Sequence, residues 1–505
     1  MLVKYKLNKF LGWMETLTLI ELTKLLKNEA ISYSFGKNTV LRKILATFFF
    51  LLSDISMLTL SILVSFALTV FAFETFTISW NHIYLLCLSL PFFPIAYALR
   101  GLYPGFGIDI IEELRSITYS TTIAFIIFLL LSYLAEGIDS QFRITVLASF
   151  FVALATVPVG RSVVRKLVSN RSWWGIPVVV IGAGRAGERV ISSLIKQKQL
   201  GLRPIVAVDD DVDRWGYIQG VPVVGGLDII PDLSQRLCNE HAIIAMPRVN
   251  IERQKEIINK YSKFFAHTTI IPDLYGLSSL WVSVRDFGWV LGLELQQKLL
   301  SSSARFMKRL FDIVLGTILL VLSAPLMLII ALLVKLDSRG KVLFKQERMG
   351  INDTRFNIIK FRTMHNDAEE RLASILSSNP ELRKEYEIYH KLKDDPRLTR
   401  VGKFLRKYSL DELPQFWNVI KGDMSLIGPR AYIPWEKIKM NGHEEMILKV
   451  KPGISGLWQV TDRNNSSFEE RNQMDVYYIR NWSMFLDIYI VARTIAVVLT
   501  GRSGC

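Results

Sequence analysis

Four apolar runs crowd the first third of the chain: Ile44 to Phe73, about His82 to Leu99, Ser116 to Ala135 and Phe142 to Val164. Each is near the roughly 20 residues that a helix needs to cross a bilayer. The first run starts after 43 residues, is too long for a signal-peptide core, and has no small-residue cleavage site before the next run, so it reads as an anchor. Lys and Arg orient it. Eight precede residue 44, Arg100 and Arg115 flank the second connection, and Arg161, Arg165, Lys166 and Arg171 follow the fourth run. The first connection (Glu74 to Asn81) has none, and the third has only Arg143 at its edge. The positive-inside rule therefore predicts four transmembrane helices over 44–168, entered from a cytoplasmic segment 1–43, with both ends on the cytoplasmic face.

Composition agrees. Of 505 residues half are apolar and 21% charged, which excludes a disordered chain and leaves room for three to four domains. The formal charge of +15 comes from 61 Lys and Arg against 46 Asp and Glu, and much of it reports topology, so no nucleic-acid partner is expected. Cys87, Cys238 and Cys505 are too few and too scattered for a disulfide framework or a metal cluster. Asp54, inside the first run, is expected to make an interhelical hydrogen bond, because a lone charge there is expensive. The Gly- and Pro-rich stretch Gly101 to Gly107 reads as a tight cytoplasmic turn.

Pro177 to Ile181 is a β-branched run followed by Gly182, Gly184 and Gly187 at GxGxxG spacing, then by a helical pattern from Glu188 to Lys198. Such glycines allow a tight turn and close approach of a pyrophosphate to a helix N-terminus, and Asp209 stands where a ribose-binding acid belongs. Further alternation at Ala242 to Met246, Ile251 to Phe264 and Thr268 to Ile271 predicts a Rossmann-like, doubly wound α/β domain over 172–295. A nucleotide could bind at Gly182, Gly184, Gly187 and Asp209. A membrane-bound NAD-dependent nucleotide-sugar dehydratase or epimerase is the competing enzyme class, but its Tyr-x-x-x-Lys pair does not occur between residues 220 and 300.

A fifth apolar run, Phe311 to Val334, has Arg305, Lys308 and Arg309 before it and Lys335, Arg339 and Lys341 after it. A straight crossing would place a basic cluster on each side of the membrane. Ser323 and Pro325 lie in its middle, where Pro removes a backbone donor and Ser can satisfy a freed carbonyl, so a re-entrant helix broken there is expected.

Beyond it the chain turns polar and carries Lys345, Arg348, Lys360, Arg362, Arg397, Arg400, Arg406, Arg430 and Arg463, residue types suited to phosphate. Asp411 and Glu412 stand together in SLDELPQ. By spacing, Ser409 to Glu412 is a capping box. The same two acids could also face a phosphorus and a cation.

KFRTM (Lys360 to Met364), DPRLTRVGKFLRKYSLDELPQFWNVIKGDMSLIGPR (Asp395 to Arg430), KPGISGLWQV (Lys451 to Val460) and DVYYIRNWS (Asp475 to Ser483) resemble the bacterial polyprenyl-phosphate hexose-1-phosphate transferases, or monotopic phosphoglycosyl transferases. The four apolar runs and the Rossmann-like domain make the chain look like the large members. The resemblance implies a membrane α-helical bundle plus α/β architecture, with a re-entrant-helix catalytic domain over 301–505 on the cytoplasmic face of a bacterial inner membrane. It implies transfer of hexose-1-phosphate from a UDP-sugar, galactose or glucose, to undecaprenyl phosphate, with release of UMP. It also implies that Asp411 is the nucleophile of a covalent phosphosugar intermediate, that Glu412 binds Mg²⁺, and that Lys360, Arg406 and Asp475 complete the site. Arg430 and Arg463 would contact phosphate or uridine, and membrane lipid and a second copy of the chain, as a homodimer, are the remaining partners. Two positions depart from the family pattern: Ala431 stands where Pro is usual after Gly-Pro-Arg, and Asp462 where Gly usually precedes Arg463. Both bear on donor-sugar specificity.

Overall fold

The computed structural model describes residues 39–73, 79–135, 139–237, 241–272, 282–286, 291–295, 299, 301–368, 370, 372, 374, 377, 383, 395, 397–461 and 467–499. The chain forms two compact units, Met1–Leu274 and Tyr275–Cys505.

In the first unit the apolar runs become α1 (Thr39–Ala72), α2 (Trp80–Ser89), α3 (Phe92–Leu99), α4 (Ile110–Leu134) and α5 (Ser140–Val168). The second run is interrupted between α2 and α3, where Pro91 has no N–H to give. Leu58, Phe93, Phe125, Phe128 and Val157 form the shared core, while Leu63, Leu68, Leu130 and Phe151 face outward, the pattern of an apolar bundle in an apolar solvent. Cys87 is a free thiol, and the other two cysteines lie outside the described residues.

The expected partner of Asp54 is present, and it is a charged one. Arg161 donates to both Asp54 oxygens at 2.8 and 2.6 Å and to Glu113 at 3.1 Å, while the Tyr103 hydroxyl donates to Asp54 at 2.6 Å. Arg165 then binds Glu113 at 2.9 Å and the carbonyls of Gly105 and Gln199 at 2.9 and 2.8 Å. Two acids and two arginines thus cancel in a buried cluster, which also ties the Gly101 to Gly107 turn to α5.

Six strands follow: β1 (Ile176–Ile181), β2 (Leu202–Val208), β3 (Gly216–Ile218), β4 (Val221–Val223), β5 (His241–Ile244) and β6 (His267–Ile270), in the order β3-β4-β2-β1-β5-β6. Pairing is parallel except between β3 and β4. The period of two in a strand explains the layers. Val179 and Ile181 pack with Ile230 and Leu233 of α7 (Ile230–Leu237) and Ile257 of α8 (Ile251–Tyr261), whereas Val180 packs with Ile191 of α6 (Arg185–Lys196) on the opposite face. This is the doubly wound arrangement that the alternation predicts.

The second unit holds the hairpin of β7 (Val282–Asp286) and β8 (Leu291–Leu295), then α9 (Ser302–Asp337). The helical backbone of α9 continues through Ser323 and Pro325, so the expected break there is not an interruption of helix. A single Pro removes one backbone bond, and Ser323 Oγ donates to the neighbouring Leu320 carbonyl at 3.2 Å. At about 1.5 Å per residue its 36 residues would extend about 54 Å if straight, yet both ends dock on the same unit. Near the start, Lys308 binds Asp487 at 2.6 Å and Arg309 donates to Val419 O and Ile420 O. Near the end, Ile330 and Val334 pack on Phe361 and Leu405, and Asp337 accepts from Val401 N at 3.0 Å. Between them Val321, Leu322 and Leu328 are exposed.

The polar remainder consists of the antiparallel pair β9 (Leu343–Met349) and β10 (Arg355–Phe361), α10 (Arg400–Lys407), α11 (Gln415–Lys421), β11 (Ser425–Ile427), the short α12 (Glu444–Ile447), β12 (Gly453–Ser455), α13 (Leu457–Thr461), α14 (Phe468–Arg480) and α15 (Met484–Leu499).

The Asp54–Arg161–Glu113 cluster yields a stability prediction. Arg161→Ala leaves buried carboxylates uncompensated and should cost about 3–5 kcal/mol, seen as a large fall in the thermal midpoint of the solubilised protein. Arg161→Lys should recover only part, because one ammonium cannot reproduce the fork on Asp54. A loss below about 1 kcal/mol for Arg161→Ala would mean that the cluster is solvated.

Candidate active site

Lys360 is on β10, and Asn418 of α11 holds that strand by accepting from Ile359 N at 3.1 Å and donating to Asn357 O at 2.8 Å. The KFRTM segment then runs beneath α10. Thr399 N donates to Thr363 O at 3.0 Å, the Thr399 hydroxyl caps α10, and a Cβ on Gly402 would collide with that same Thr363 carbonyl. This backbone-to-backbone contact lets Arg406 of α10 donate to Thr363 Oγ1 at 3.1 Å.

After α10, Ser409 takes the left-handed conformation (φ 52°, ψ 25°) and its side chain caps nothing. The capping box expected from spacing is therefore absent, since a box needs an extended N-cap residue. Left-handed backbone costs a non-glycine residue on the order of 1 kcal/mol, and here it starts the tight turn Leu410–Glu412. Released from capping, Glu412 meets Lys360 Nζ at 2.7 Å.

Asp411 is only 9% exposed. Its carboxylate accepts no side-chain hydrogen bond and makes no ion pair among the described residues, because the lysine beside it is engaged by Glu412. Burial pushes its pKa up to about 6, against the pull of Lys360 and Arg406 and with the help of Glu412. A buried carboxylate that is mostly ionised at neutral pH, with cations nearby and no side-chain partner of its own, is the arrangement of a nucleophile.

A second group forms where IGPRAY meets KPGISG. β11 and β12 pair in parallel, and Arg430 bridges Gly453. Side chains are excluded there: a Cβ on Gly453 would collide with Gly428 N, and one on Gly428 would lie 2.7 Å from Lys451 O. Asp475, wholly buried on α14, accepts from Tyr432 OH at 2.9 Å and Arg430 N at 3.2 Å. Its other oxygen has no partner, and burial raises its pKa to about 7. Arg348 links the two groups: it lies on β9, paired with the β10 that carries Lys360, and donates to the Ala431 carbonyl beside Arg430 at 2.9 Å.

Lys360, Arg406, Asp411 and Glu412 thus assemble as one group, and Arg430 and Asp475 as a second, whereas Arg463 lies outside the described residues. Two arginines flagged as phosphate-suited serve the fold instead. Arg362 donates to the Ser338 and Arg339 carbonyls past the end of α9, and Arg397 grips Asp395 with two bonds. Tyr432 and Arg471 escaped sequence reasoning because neither sits in a motif with a chemical signature of its own.

The glycine loop of the first unit has its own internal partners. Asp209 accepts from Ala183 N at 2.7 Å, Asp211 N at 2.9 Å and Arg214 at 3.1 Å. Gly187 is required because its Cβ would collide with Gly182 O, and the Arg214 guanidinium stands over Gly184. The acid at the ribose position is held by the loop itself.

Comparison with known proteins agrees with this division. The family described as "Bacterial sugar transferase" matches residues 303–501, and one described as "CoA-binding domain" matches 99–272. The chain is 35% identical to the undecaprenyl-phosphate galactose phosphotransferase of Salmonella typhimurium, over 69% of this chain and 73% of that one. It is 33% identical to the UDP-galactose-lipid carrier transferase of Erwinia amylovora, over 70% and 74%. It is 29% identical to the UDP-glucose:undecaprenyl-phosphate glucose-1-phosphate transferase of Escherichia coli, over 82% and 88%. With relatives this similar over most of their length, and with Lys360, Arg406, Asp411 and Glu412 drawn into one site, the chain belongs to the bacterial sugar transferases.

Proposed function

We propose that the protein transfers hexose-1-phosphate from a UDP-hexose to undecaprenyl phosphate, through an aspartyl intermediate, at the cytoplasmic face of the inner membrane. The observation that carries this reading is Asp411, buried and without a side-chain partner beside the Lys360–Glu412 ion pair. One Asp411 oxygen bonds to the β-phosphorus while the bond to the bridging oxygen breaks, and the electron pair leaves on the nucleoside monophosphate. An oxygen of undecaprenyl phosphate then bonds to the same phosphorus and releases the Asp411 carboxylate. Two displacements replace one direct meeting of two anions. Lys360 and Arg406 supply positive charge where the transferred phosphoryl sits. Relatives acting on galactose and glucose support a hexose donor.

Among the described residues no three acids, histidines or cysteines converge. That fits Mg²⁺, which one or two carboxylates hold together with substrate phosphates. Glu412 would hold it, and the bound ion would offset diphosphate charge.

The same-unit docking of both α9 ends supports a helix that enters the bilayer and returns, and α1 to α5 supply four further apolar stretches of spanning length. Single cysteines at Ser302 and Ser338 should both resist a membrane-impermeant thiol reagent in intact cells. Labelling of one alone would make α9 a true span.

Asp411→Asn should abolish UMP release, and it should also stabilise the protein. The folded pKa of about 6 lies above the unfolded 3.8, so the carboxyl contributes nothing adverse below about pH 4, becomes unfavourable as pH rises towards 6, and costs about 3 kcal/mol above that. The variant's thermal midpoint should exceed that of the parent at pH 7.5 and match it near pH 4. An equal or lower midpoint at pH 7.5 would contradict a buried, uncompensated Asp411.

In the first half-reaction, whose diphosphate donor does not titrate near neutrality, the rate should be flat above about pH 7 and fall close to tenfold per unit below the Asp411 pKa of about 6. A rate unchanged from pH 5 to 8 would exclude Asp411 as the attacking anion.

A further inference from the structure

Two guanidinium groups gather on Trp458, and a third, that of Arg348, feels the charge of one of them. Arg471 of α14 and Arg430 both lie against the indole, with their central carbons 5.1 and 5.8 Å from the ring centroid. Arg348, 8% exposed, donates to the carbonyl of Ala431, next to Arg430, at 2.9 Å and to Gln346 at 2.6 Å. Like charges seldom crowd without an anion among them. The acid that pairs with this group is Glu436, which is 3.6 Å from Arg430 and already accepts from Ile433 N. Asp475 neutralises the group only in part, because burial raises its pKa to about 7.

The group has donors to spare. Nε of Arg348, Nε of Arg471 and Nε1 of Trp458 are all buried without a hydrogen-bond partner. A buried donor without a partner is destabilising, and three of them on neighbouring residues are hard to reconcile with a purely structural role. Burial and the nearby Arg430 depress the pKa of both Arg348 and Arg471, that of Arg348 to about 10. An arriving anion would relieve this repulsion.

The ligand's chemistry follows from position. The transferred phosphoryl belongs at Asp411, flanked by Lys360 and Arg406. Arg348 connects that place to Arg430, since it lies on β9, the strand paired with the β10 that carries Lys360, and donates to the carbonyl of Ala431 next to Arg430. A diphosphate anchored at Asp411 has one more phosphate to place, and after bond cleavage that phosphate carries the new negative charge. We propose that Arg430 and Arg471, backed by the fixed charge of Arg348 and seated on Trp458, form the site that holds the phosphate of the departing nucleoside monophosphate. Arg430 and Arg471 touch the ligand, and Arg348 is a positioning residue that fixes the Ala431 carbonyl and so the path of the backbone after Arg430. The inference rests on the transferase reading above and adds to it where the leaving group is received.

Calorimetric titration of the full-length protein in nanodiscs tests this, with UMP and uridine as the two probes. Arg471→Gln should weaken UMP binding about ten- to a hundredfold and leave uridine binding within twofold of the parent. Arg471→Lys, which keeps the charge and stem and guards against a folding defect, should lie between the two. UMP affinity should also fall more steeply with salt in the parent than in Arg471→Gln. An equal loss of UMP and uridine binding in Arg471→Gln would overturn the phosphate assignment in favour of a base contact. Unchanged UMP affinity would make the cluster structural and likewise overturn it. If the parent itself binds neither UMP nor a UDP-hexose, the transferase reading has failed first, and with it the ground for this site.

Discussion

The second unit depends on backbone touching backbone. At Gly402 against Thr363, and at Gly453 and Gly428 against one another and Lys451, there is no space for even a methyl group. Without these contacts α10 would stand away from KFRTM and the IGPR turn from KPGISG, and the charged side chains they carry could not meet. Main-chain polar groups in such contacts are satisfied by neighbours, as where Thr399 N meets Thr363 O and Gly428 N meets Ser455 O. The site is therefore assembled from turns, but from turns pressed together tightly enough to hold fixed distances.

The charge cluster of the first unit and the site of the second treat buried charge in opposite ways. In the first, Asp54, Glu113, Arg161 and Arg165 cancel one another, and their ends find carbonyls or a tyrosine hydroxyl. Around the site of the second, Asp411 has no side-chain partner, one oxygen of Asp475 is orphaned, and arginines crowd with little to offset them. Full compensation gives rigidity. Incomplete compensation stores unfavourable energy that only a ligand removes, and it marks the place where function outweighs stability.

Much of this was legible in the sequence, and the failures have physical causes. Hydrophobic periodicity located the apolar helices and the doubly wound sheet, because both patterns follow from geometry that every residue in the element repeats. The break at Pro91 was missed because hydropathy alone is blind to one absent N–H. Asp411 and Glu412 were found through their motif, yet spacing assigned Glu412 to a capping box that the left-handed Ser409 rules out. A local rule assumes a local backbone, and here distant Lys360 decides where Glu412 points. Arg362 and Arg430 look alike in sequence, but one binds helix-end carbonyls and the other lies on an indole, and only tertiary placement separates them. Tyr432 and Arg471 act through residues far along the chain, so nothing near them announced a role.

Three of the six basic residues at the ends of α9 bear on how the helix would respond to its lipids. Arg309 is consumed by the carbonyls of Val419 and Ile420, Lys308 by Asp487, and Lys335 reaches Gly340 O at 3.3 Å. Cations already committed to protein oxygens have little left to offer anionic headgroups. The depth at which α9 sits is thus fixed by the body to which its ends are fastened, and changes in the proportion of acidic phospholipid would alter how strongly the protein is attracted to the surface far more than where this helix rests within it.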